Sequence, residues 1–187
     1  AVSLGDGVSL WTSITSAKLQ FATESTTTGY EAEMEASGFR AGLSIDGGEI
    51  GAGRLSFGPY VGTSTSTTNV TTTAGAENVA LESTSLGLTA TWNHPSGFYI
   101  DGAISASRFD GDVSASGGDA QIEGRAMSAG LETGKTSPLS NGRWTVTPMA
   151  RFNYAEVAYD AFTTSNGLAV EDMKAHSLTA SIGGRME

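Results

Sequence analysis

Apolar and polar residues alternate along much of this chain, and the stretch RWTVTPMARFNY at Arg143–Tyr154 shows this most clearly. Every second residue from Trp144 to Tyr154 is apolar or aromatic, and the residues between them are mostly polar. Successive side chains of a β-strand point to opposite faces, so this pattern predicts a strand with one apolar and one polar face. Aromatic residues at both ends of the apolar face are typical of strands that cross a membrane. Pro148 lies mid-pattern, where a missing ladder donor predicts a β-bulge.

Clusters of glycine, asparagine and aspartate divide the chain into about eight extended segments. We predict strands at Val8–Thr23, Tyr30–Asp46, Arg54–Thr68, Val79–Asn93, Phe98–Phe109, Gln121–Lys135, Arg143–Tyr159 and Val170–Met186. The first is the least regular: Trp11 and Ile14 do not share a parity, which predicts a bulge or a later start. No segment has a convincing helical period, since the glutamates of Gly29–Phe39 alternate as in a strand.

The connections between these segments fall into two interleaved sets. Tight turns are predicted at Asp46–Gly53, Asn93–Gly97 and Ser137–Gly142, and longer polar loops at Ser64–Glu77, Asp110–Asp119 and Asp160–Gly167. Short turns at one end and longer loops at the other are typical of outer-membrane barrels. The predicted fold class is therefore all-β, an antiparallel up-and-down transmembrane β-barrel with about eight strands in this chain.

Strand parity assigns side chains to the two faces of this barrel. The lumen-facing charged residues are predicted to be Arg40, Asp101, Glu132, Arg151 and Arg185. An internal network of ion pairs is the favoured interpretation, because buried charges need partners, and a hydrated pore for an extended polypeptide is the alternative. The lipid-facing and aromatic-girdle residues are predicted to be Trp92, Phe98, Trp144, Phe152 and Tyr154.

Composition narrows the possible functions. The chain has 187 residues, enough for one domain over residues 1–187, and its formal net charge is -10. Such an acidic chain lacks the basic footprint that a nucleic-acid partner requires. It has no cysteine, which excludes disulfides and Cys-based metal sites. No apolar run is long enough for a transmembrane helix.

Candidate chemistry is sparse. His94 and His176 are far apart in sequence and are interpreted as solvated histidines. Asp110, Asp112 and Asp119 lie in one glycine-rich stretch that could offer oxygen ligands to calcium, but a solvated loop is favoured. No catalytic motif is present, so we expect no cofactor, no metal and no enzymatic activity.

The second half of the chain resembles a known family. The order LGLTATW, GFYIDGAISASRFDG, AGLETG, WTVTPMARFNYAEVAYDAF and LTASIGGRM within Leu86–Met186 is similar to autotransporter β-domains, the translocator barrels of type V secretion. The resemblance implies a barrel of about twelve strands, of which this chain would supply the N-terminal two-thirds or a shortened form. The family ends on an aromatic residue, whereas this chain ends at Glu187.

The resemblance also implies a function. It predicts a protein of the cell outer membrane of a Gram-negative-type bacterium that anchors there and helps deliver an N-terminal passenger to the cell surface. Its expected partners are outer-membrane lipid, the barrel assembly machinery and that passenger. Two alternatives remain at this stage: a compact eight-stranded outer-membrane protein whose loops bind a partner, and a soluble ligand-binding β-barrel with its faces reversed.

Overall fold

A computed structural model describes residues 2–22, 30–72, 75–115, 118–139 and 144–187, most of which lie in β-strands. The strands are β1 (Val2–Gly5), β2 (Val8–Ala22), β3 (Tyr30–Ile50), β4 (Gly53–Thr72), β5 (Gly75–Asn93), β6 (Phe98–Ser114), β7 (Ala120–Lys135), β8 (Ser137–Pro138), β9 (Thr145–Tyr159), β10 (Phe162–Thr163), β11 (Ala169–Val170) and β12 (Met173–Met186). Within these ranges no helix is long and apolar enough to span a membrane.

Each long strand pairs antiparallel with its neighbours in sequence. The sheet follows the order β1-β2-β3-β4-β5-β6-β7-β9-β12, β8 pairs with β9, and β10 and β11 form a separate small hairpin. The eight long strands β2, β3, β4, β5, β6, β7, β9 and β12 correspond to the eight predicted segments, which are confirmed. The predicted terminal residues Thr23 and Arg143 lie outside the described residues.

The registers place the alternating side chains on two continuous faces. Directly opposite residues share a face, so the row Phe57, Ala90, Gly102, Leu131, Phe152 and Ala180 defines one side of the sheet across six strands. We call it the Phe152 face. The other side carries Arg151 and is called the Arg151 face. In β4 the Arg151 face is the more buried, since Gly58, Tyr60 and Gly62 are buried, whereas Pro59 and Val61 are exposed.

The Phe152 face carries a continuous apolar band. Its members are the alternate residues within 8–14, 39–45, 55–61, 86–92, 98–106, 127–131, 146–154 and 178–186. Leu88 and Ile104, which are directly opposite each other, are 53% and 56% exposed. The band spans about nine residues of β6, the length that a tilted strand needs to cross a bilayer. Over the same length the Arg151 face is mostly polar or glycine.

Beyond this band the polarity of the two faces is inverted in every long strand except β4, where the Phe152 face also becomes polar but the Arg151 face carries mostly serine and threonine. We call these strand ends the extension: residues 16–22, 30–37, 63–72, 75–84, 107–114, 120–126, 155–159 and 173–177. In β3, Glu31, Glu33 and Glu35 are on the Phe152 face, and Ala32 and Met34 are on the Arg151 face. The inversion occurs at matching registers, since Val61, Leu86, Ala106 and Met127 end the band on four adjacent strands.

The extension corrects the predicted loops. Ser64–Glu77 and Asp110–Asp119 were expected to be polar loops, but β4 continues to Thr72, β5 begins at Gly75 and β6 continues to Ser114. The physical reason in β5 and β6 is that alternation persists there with the faces exchanged. Thr-rich sequence also favours strands over loops. Only Asp160–Gly167 consists mainly of connecting residues with a short strand.

Both predicted bulges are wrong. The β2–β3 register runs without a shift from Val8 opposite Ile45 to Ala22 opposite Glu31, because Trp11 belongs to the Arg151 face. Pro148 pairs in regular register with Gly184 of β12. On its other side the β7–β9 ladder stops at Met149, and the β8–β9 ladder resumes from Val146. The missing donor is thus accommodated by a gap in one ladder.

Aromatic rings on the Arg151 face lie over glycines of neighbouring strands. Trp11 of β2 reaches across Gly42 to Tyr60 of β4, with 5.9 Å between ring centroids. A Cβ atom at Gly87 would lie 2.4 Å from the Tyr60 ring and 2.6 Å from the Ile104 carbonyl oxygen. Glycine is needed at these positions because the ring occupies the space of a side chain.

Gly87→Ala is therefore expected to destabilise the protein by about 1–3 kcal/mol, since the added methyl group overpacks a filled position. Gly102→Ala is the matched control, because the nearest atoms to a Cβ there are 3.8 Å away. Urea unfolding in detergent micelles measures both. Equal midpoints for the two variants would contradict the proposed packing.

Candidate functional site

A polar row crosses the Arg151 face at the level of the apolar band. Cross-strand pairing aligns Ser56, Thr91, Asp101, Glu132, Arg151 and Ser181 on six adjacent strands. The Thr91 hydroxyl donates to Asp101 Oδ1 at 3.2 Å. The row therefore combines two carboxylates and one guanidinium in the middle of the sheet.

Glu132 is the centre of this row. The Tyr99 hydroxyl donates to Glu132 Oε1 at 2.7 Å, and Arg151 Nε donates to Glu132 Oε2 at 2.8 Å. Arg151 Nη2 contacts the same oxygen. The Glu132 side chain is 20% exposed, so it is well enough shielded for these charge-assisted bonds to matter. Asp101, directly opposite, adds a like charge that the single Arg151 has to balance as well.

The other predicted charged residues lie apart from this centre. Arg40 is on β3, where its guanidinium carbon is 5.7 Å from the centroid of the Tyr60 ring. Arg185 is near enough to Tyr99 and Glu132 to interact electrostatically, and its Nε is 3.6 Å from Glu187 Oε1. The register places all five predicted residues on the Arg151 face, but only Glu132 and Arg151 form an ion pair with each other.

The predicted aromatic residues occupy the Phe152 face at different heights. Trp92 and Phe98 meet edge to face at 6.2 Å beside the turn between β5 and β6, and Trp92 Nε1 donates to the Ile50 carbonyl at 3.1 Å. Trp144 is half exposed just before β9. Phe152 lies in the middle of the band, and Tyr154 is its last β9 residue before the inversion.

Sequence reasoning missed the role of Tyr99, Trp11 and Tyr60. Tyr99 fixes Glu132, and the Trp11–Tyr60 pair fills the Arg151 face beside Arg40. The available signal was a large aromatic residue on the polar face of one strand with a glycine on the same face of the neighbouring strand. Such a pair indicates that the ring packs over the glycine.

On β2 and β3 of the extension, one lysine on the Phe152 face is held by two glutamates. Lys18 Nζ binds Glu33 Oε1 at 2.5 Å and Glu35 Oε1 at 2.9 Å, and Gln20 Nε2 donates to Glu33 at 2.9 Å. These bonds raise the pKa of the Lys18 ammonium, and hydrogen bonds from Lys18 and Gln20 lower the pKa of Glu33. Lys18 is thus a cation with two acidic partners.

Metal chemistry finds no support in the part of the chain that the structure describes, where no three His, Asp or Glu side chains could jointly hold an ion. Asp110 and Asp112 lie in β6, and Asp119 lies directly before the start of β7. His94 Nδ1 is 2.7 Å from the Ser96 hydroxyl within its turn, and His176 lies in the extension of β12.

Antiparallel pairing of sequence neighbours, together with one exposed apolar band, defines the class of up-and-down transmembrane β-barrels. The sequence model of the family described as "Autotransporter beta-domain" matches residues 10–187. The chain therefore belongs to this family and is an outer-membrane β-barrel, as the resemblance predicted. This membership also confirms the expectation that it is not an enzyme and contradicts the hypothesis of a soluble barrel.

Curated relatives extend far beyond the matched region. The adhesin BmaC autotransporter of Brucella suis is 29% identical over 178 residues, which are 93% of this chain and 5% of that protein. The probable autotransporter YpjA of Escherichia coli is 30% identical over 107 residues, 54% of this chain and 7% of YpjA. The chain thus corresponds to a small part of each relative's length.

Solved structures agree on the fold. The translocator domain of the autotransporter NalP from Neisseria meningitidis superposes with a TM-score of 0.75 at 20% identity, covering 97% of this chain and 62% of NalP's. The β domain of the Bordetella autotransporter BrkA has a TM-score of 0.69 at 23% identity, covering 97% and 71%.

Glu132→Gln is expected to lower the free energy of unfolding by about 1 kcal/mol, because Arg151 loses its charged acceptor on a partly hydrated face. Asp101→Asn in the same row is the matched control and should be neutral or stabilising, since it removes a like charge opposite Glu132. Denaturant unfolding of both variants gives the comparison. If Asp101→Asn lowered the free energy of unfolding more than Glu132→Gln, Asp101 and not Glu132 would be the centre of the row.

Proposed function

We propose that this chain anchors in the outer membrane through its Phe152 face and helps deliver an N-terminal passenger to the cell surface. Its family and the autotransporter relatives support this role. The outer-membrane barrel assembly machinery would insert it, as the family resemblance implies.

The single observation that carries the anchoring role is the exposed apolar band. Ile104, Leu88 and Met127 are more than half exposed, and Leu131, Phe57 and Ile100 are between 39% and 47% exposed. A surface of this size in contact with water would promote aggregation. Lipid contact resolves the conflict, and it assigns the girdle residues Trp92, Phe98 and Trp144 to one interface and Tyr154 to the other.

The Arg151 face is proposed to line the barrel interior. In β4 its residues are more buried than their neighbours on the Phe152 face, and its rings pack over glycines. Arg40, Asp101, Glu132, Arg151 and Arg185 would then lie in the lumen. The Glu132–Arg151 pair supports the interpretation that these charges form an internal network of ion pairs. The Ser, Thr and Gly residues around them would keep the interior hydrated.

The extension supplies an orientation. Strands continue well past the apolar band at one end, whereas at the other end β5 and β6 are joined by a turn directly beside Trp92 and Phe98. Outer-membrane barrels have short periplasmic turns and longer extracellular parts. The extension is therefore proposed to project from the cell surface, where a delivered passenger would emerge.

Further strands are proposed to complete the barrel. Among the described residues, β12 pairs only with β9, and β2 pairs with β1 only near its start. An unpaired strand edge inside a membrane is costly, so these edges need partners. The compact eight-stranded alternative instead pairs β2 with β12 directly.

Phe152→Arg tests anchoring and delivery together. Arginine in the middle of the lipid-facing band costs about 2–4 kcal/mol, so less protein should reach the outer membrane as folded barrel. Asn153→Arg adds the same side chain one residue later on the Arg151 face and should be tolerated. The natural full-length protein is expressed in its host. The heat-modifiable band in outer-membrane fractions and antibody binding to the passenger on intact cells are measured.

Each of the two measurements has a result that would contradict part of the proposal. Equal amounts of folded barrel for the two variants would contradict the assignment of the faces. Loss of the folded Phe152→Arg barrel with undiminished passenger at the surface would contradict delivery by this chain and leave the anchoring role intact.

A further inference from the structure

Two rows of like charge lie side by side on the Phe152 face of the extension. Arg108 of β6 is directly opposite Arg125 of β7, and both side chains are exposed. One step farther from the band, Asp110 is directly opposite both Glu123 and Glu82. Every directly opposite pair of charged residues in these rows is therefore repulsive.

Like charges directly opposite each other in a sheet are destabilising. The same four residues of β6 and β7 would form two favourable pairs if one strand exchanged its acid and its arginine. In the structure, no carboxylate of the described residues lies within 4.0 Å of Arg108 or Arg125, whereas Lys18 has two. A bound anion between the two guanidinium groups would relieve the repulsion between them.

The height of the arginine row indicates which anion. On the same face, the Arg108–Arg125 pair lies directly next to the Ala106–Met127 pair. Ala106 and Met127 are the last residues of the apolar band on their strands. If lipid covers the band, the two guanidinium groups lie at the level of the lipid headgroups. Their Cβ atoms are separated by about 5 Å, as in any directly opposite pair, so both can reach one tetrahedral anion.

We propose that Arg108 and Arg125 bind a phosphate group of a phosphorylated lipid in the outer leaflet. Guanidinium groups bind phosphate through paired, charge-assisted hydrogen bonds and are well suited to this contact. The inference rests on the lipid-facing assignment of the Phe152 face made above.

The acidic row favours a lipid over a phosphate ion from solution. The arginines line a cleft of about 540 Å³ whose other charged members are Asp110, Asp112, Glu123 and Asp160. These acids lie on the aqueous side of the arginines and repel anions that approach from water. A lipid phosphate instead arrives laterally, at the height of the arginine row, without passing the acids.

The test compares Arg108→Gln/Arg125→Gln with the wild type in the natural full-length protein, purified in a zwitterionic detergent. Bis-phosphorylated lipid A, dephosphorylated lipid A and inorganic phosphate are each titrated against the thermal unfolding temperature. We expect the double variant to bind bis-phosphorylated lipid A about tenfold more weakly or worse, and dephosphorylated lipid A unchanged. Lys18→Gln is the matched control and should behave as wild type, because that cation already has acidic partners.

Equal binding of bis-phosphorylated lipid A by wild type and double variant would overturn the proposal, as would an equal loss in Lys18→Gln. Saturation by inorganic phosphate at the same concentrations would also overturn it, since the site would then take a free anion. A heat-modifiable band for the double variant confirms that it is folded. The Phe152→Arg experiment separately tests the assignment of faces, so failure of the lipid site alone is distinguishable.

Discussion

The strict period of two along paired strands is the constraint on which this structure depends. Once Val8 is opposite Ile45 and the ladders continue in register to β12, every side chain of the sheet is committed to one of two faces. A strand that crosses from lipid to water must then change the polarity of both faces at the same height. Seven of the eight long strands do so at neighbouring registers, and in β4 the Phe152 face becomes polar at the same level. This agreement between strands supports a lipid boundary at that level.

The same constraint explains how far sequence reasoning reached. Alternation was enough to find the eight long strands and to place Arg40, Asp101, Glu132, Arg151 and Arg185 on a common side. It fails where polar sequence predicts a loop, because β4 continues as a Thr-rich strand and β5 keeps its period while exchanging faces. It also failed at Pro148, since whether a missing donor causes a bulge depends on the neighbouring ladder, which the local sequence does not specify.

Contacts between side chains of neighbouring strands could not be predicted, because they depend on the register between the strands. Parity shows that Glu132 and Arg151 share a face, but only the register shows that they are directly opposite, with Tyr99 close enough to donate to Glu132. The opposition of Arg108 and Arg125 likewise emerges only from the β6–β7 pairing. Family membership supports the proposal that these faces contact lipid and lumen, and the passenger role and the lipid site are proposals built on that assignment.

The central claim is that lipid contacts the Phe152 face up to the inversion of polarity and no farther. The most direct measurement is a spin-label depth profile at single cysteines placed along β6 from Phe98 to Asp112, in lipid bilayers. Even-numbered positions to Ala106 should be accessible to oxygen and shielded from a water-soluble nickel reagent, and even-numbered positions from Arg108 onward should show the opposite preference. Lipid-like accessibility at odd-numbered positions, or its continuation to Asp112, would contradict the account.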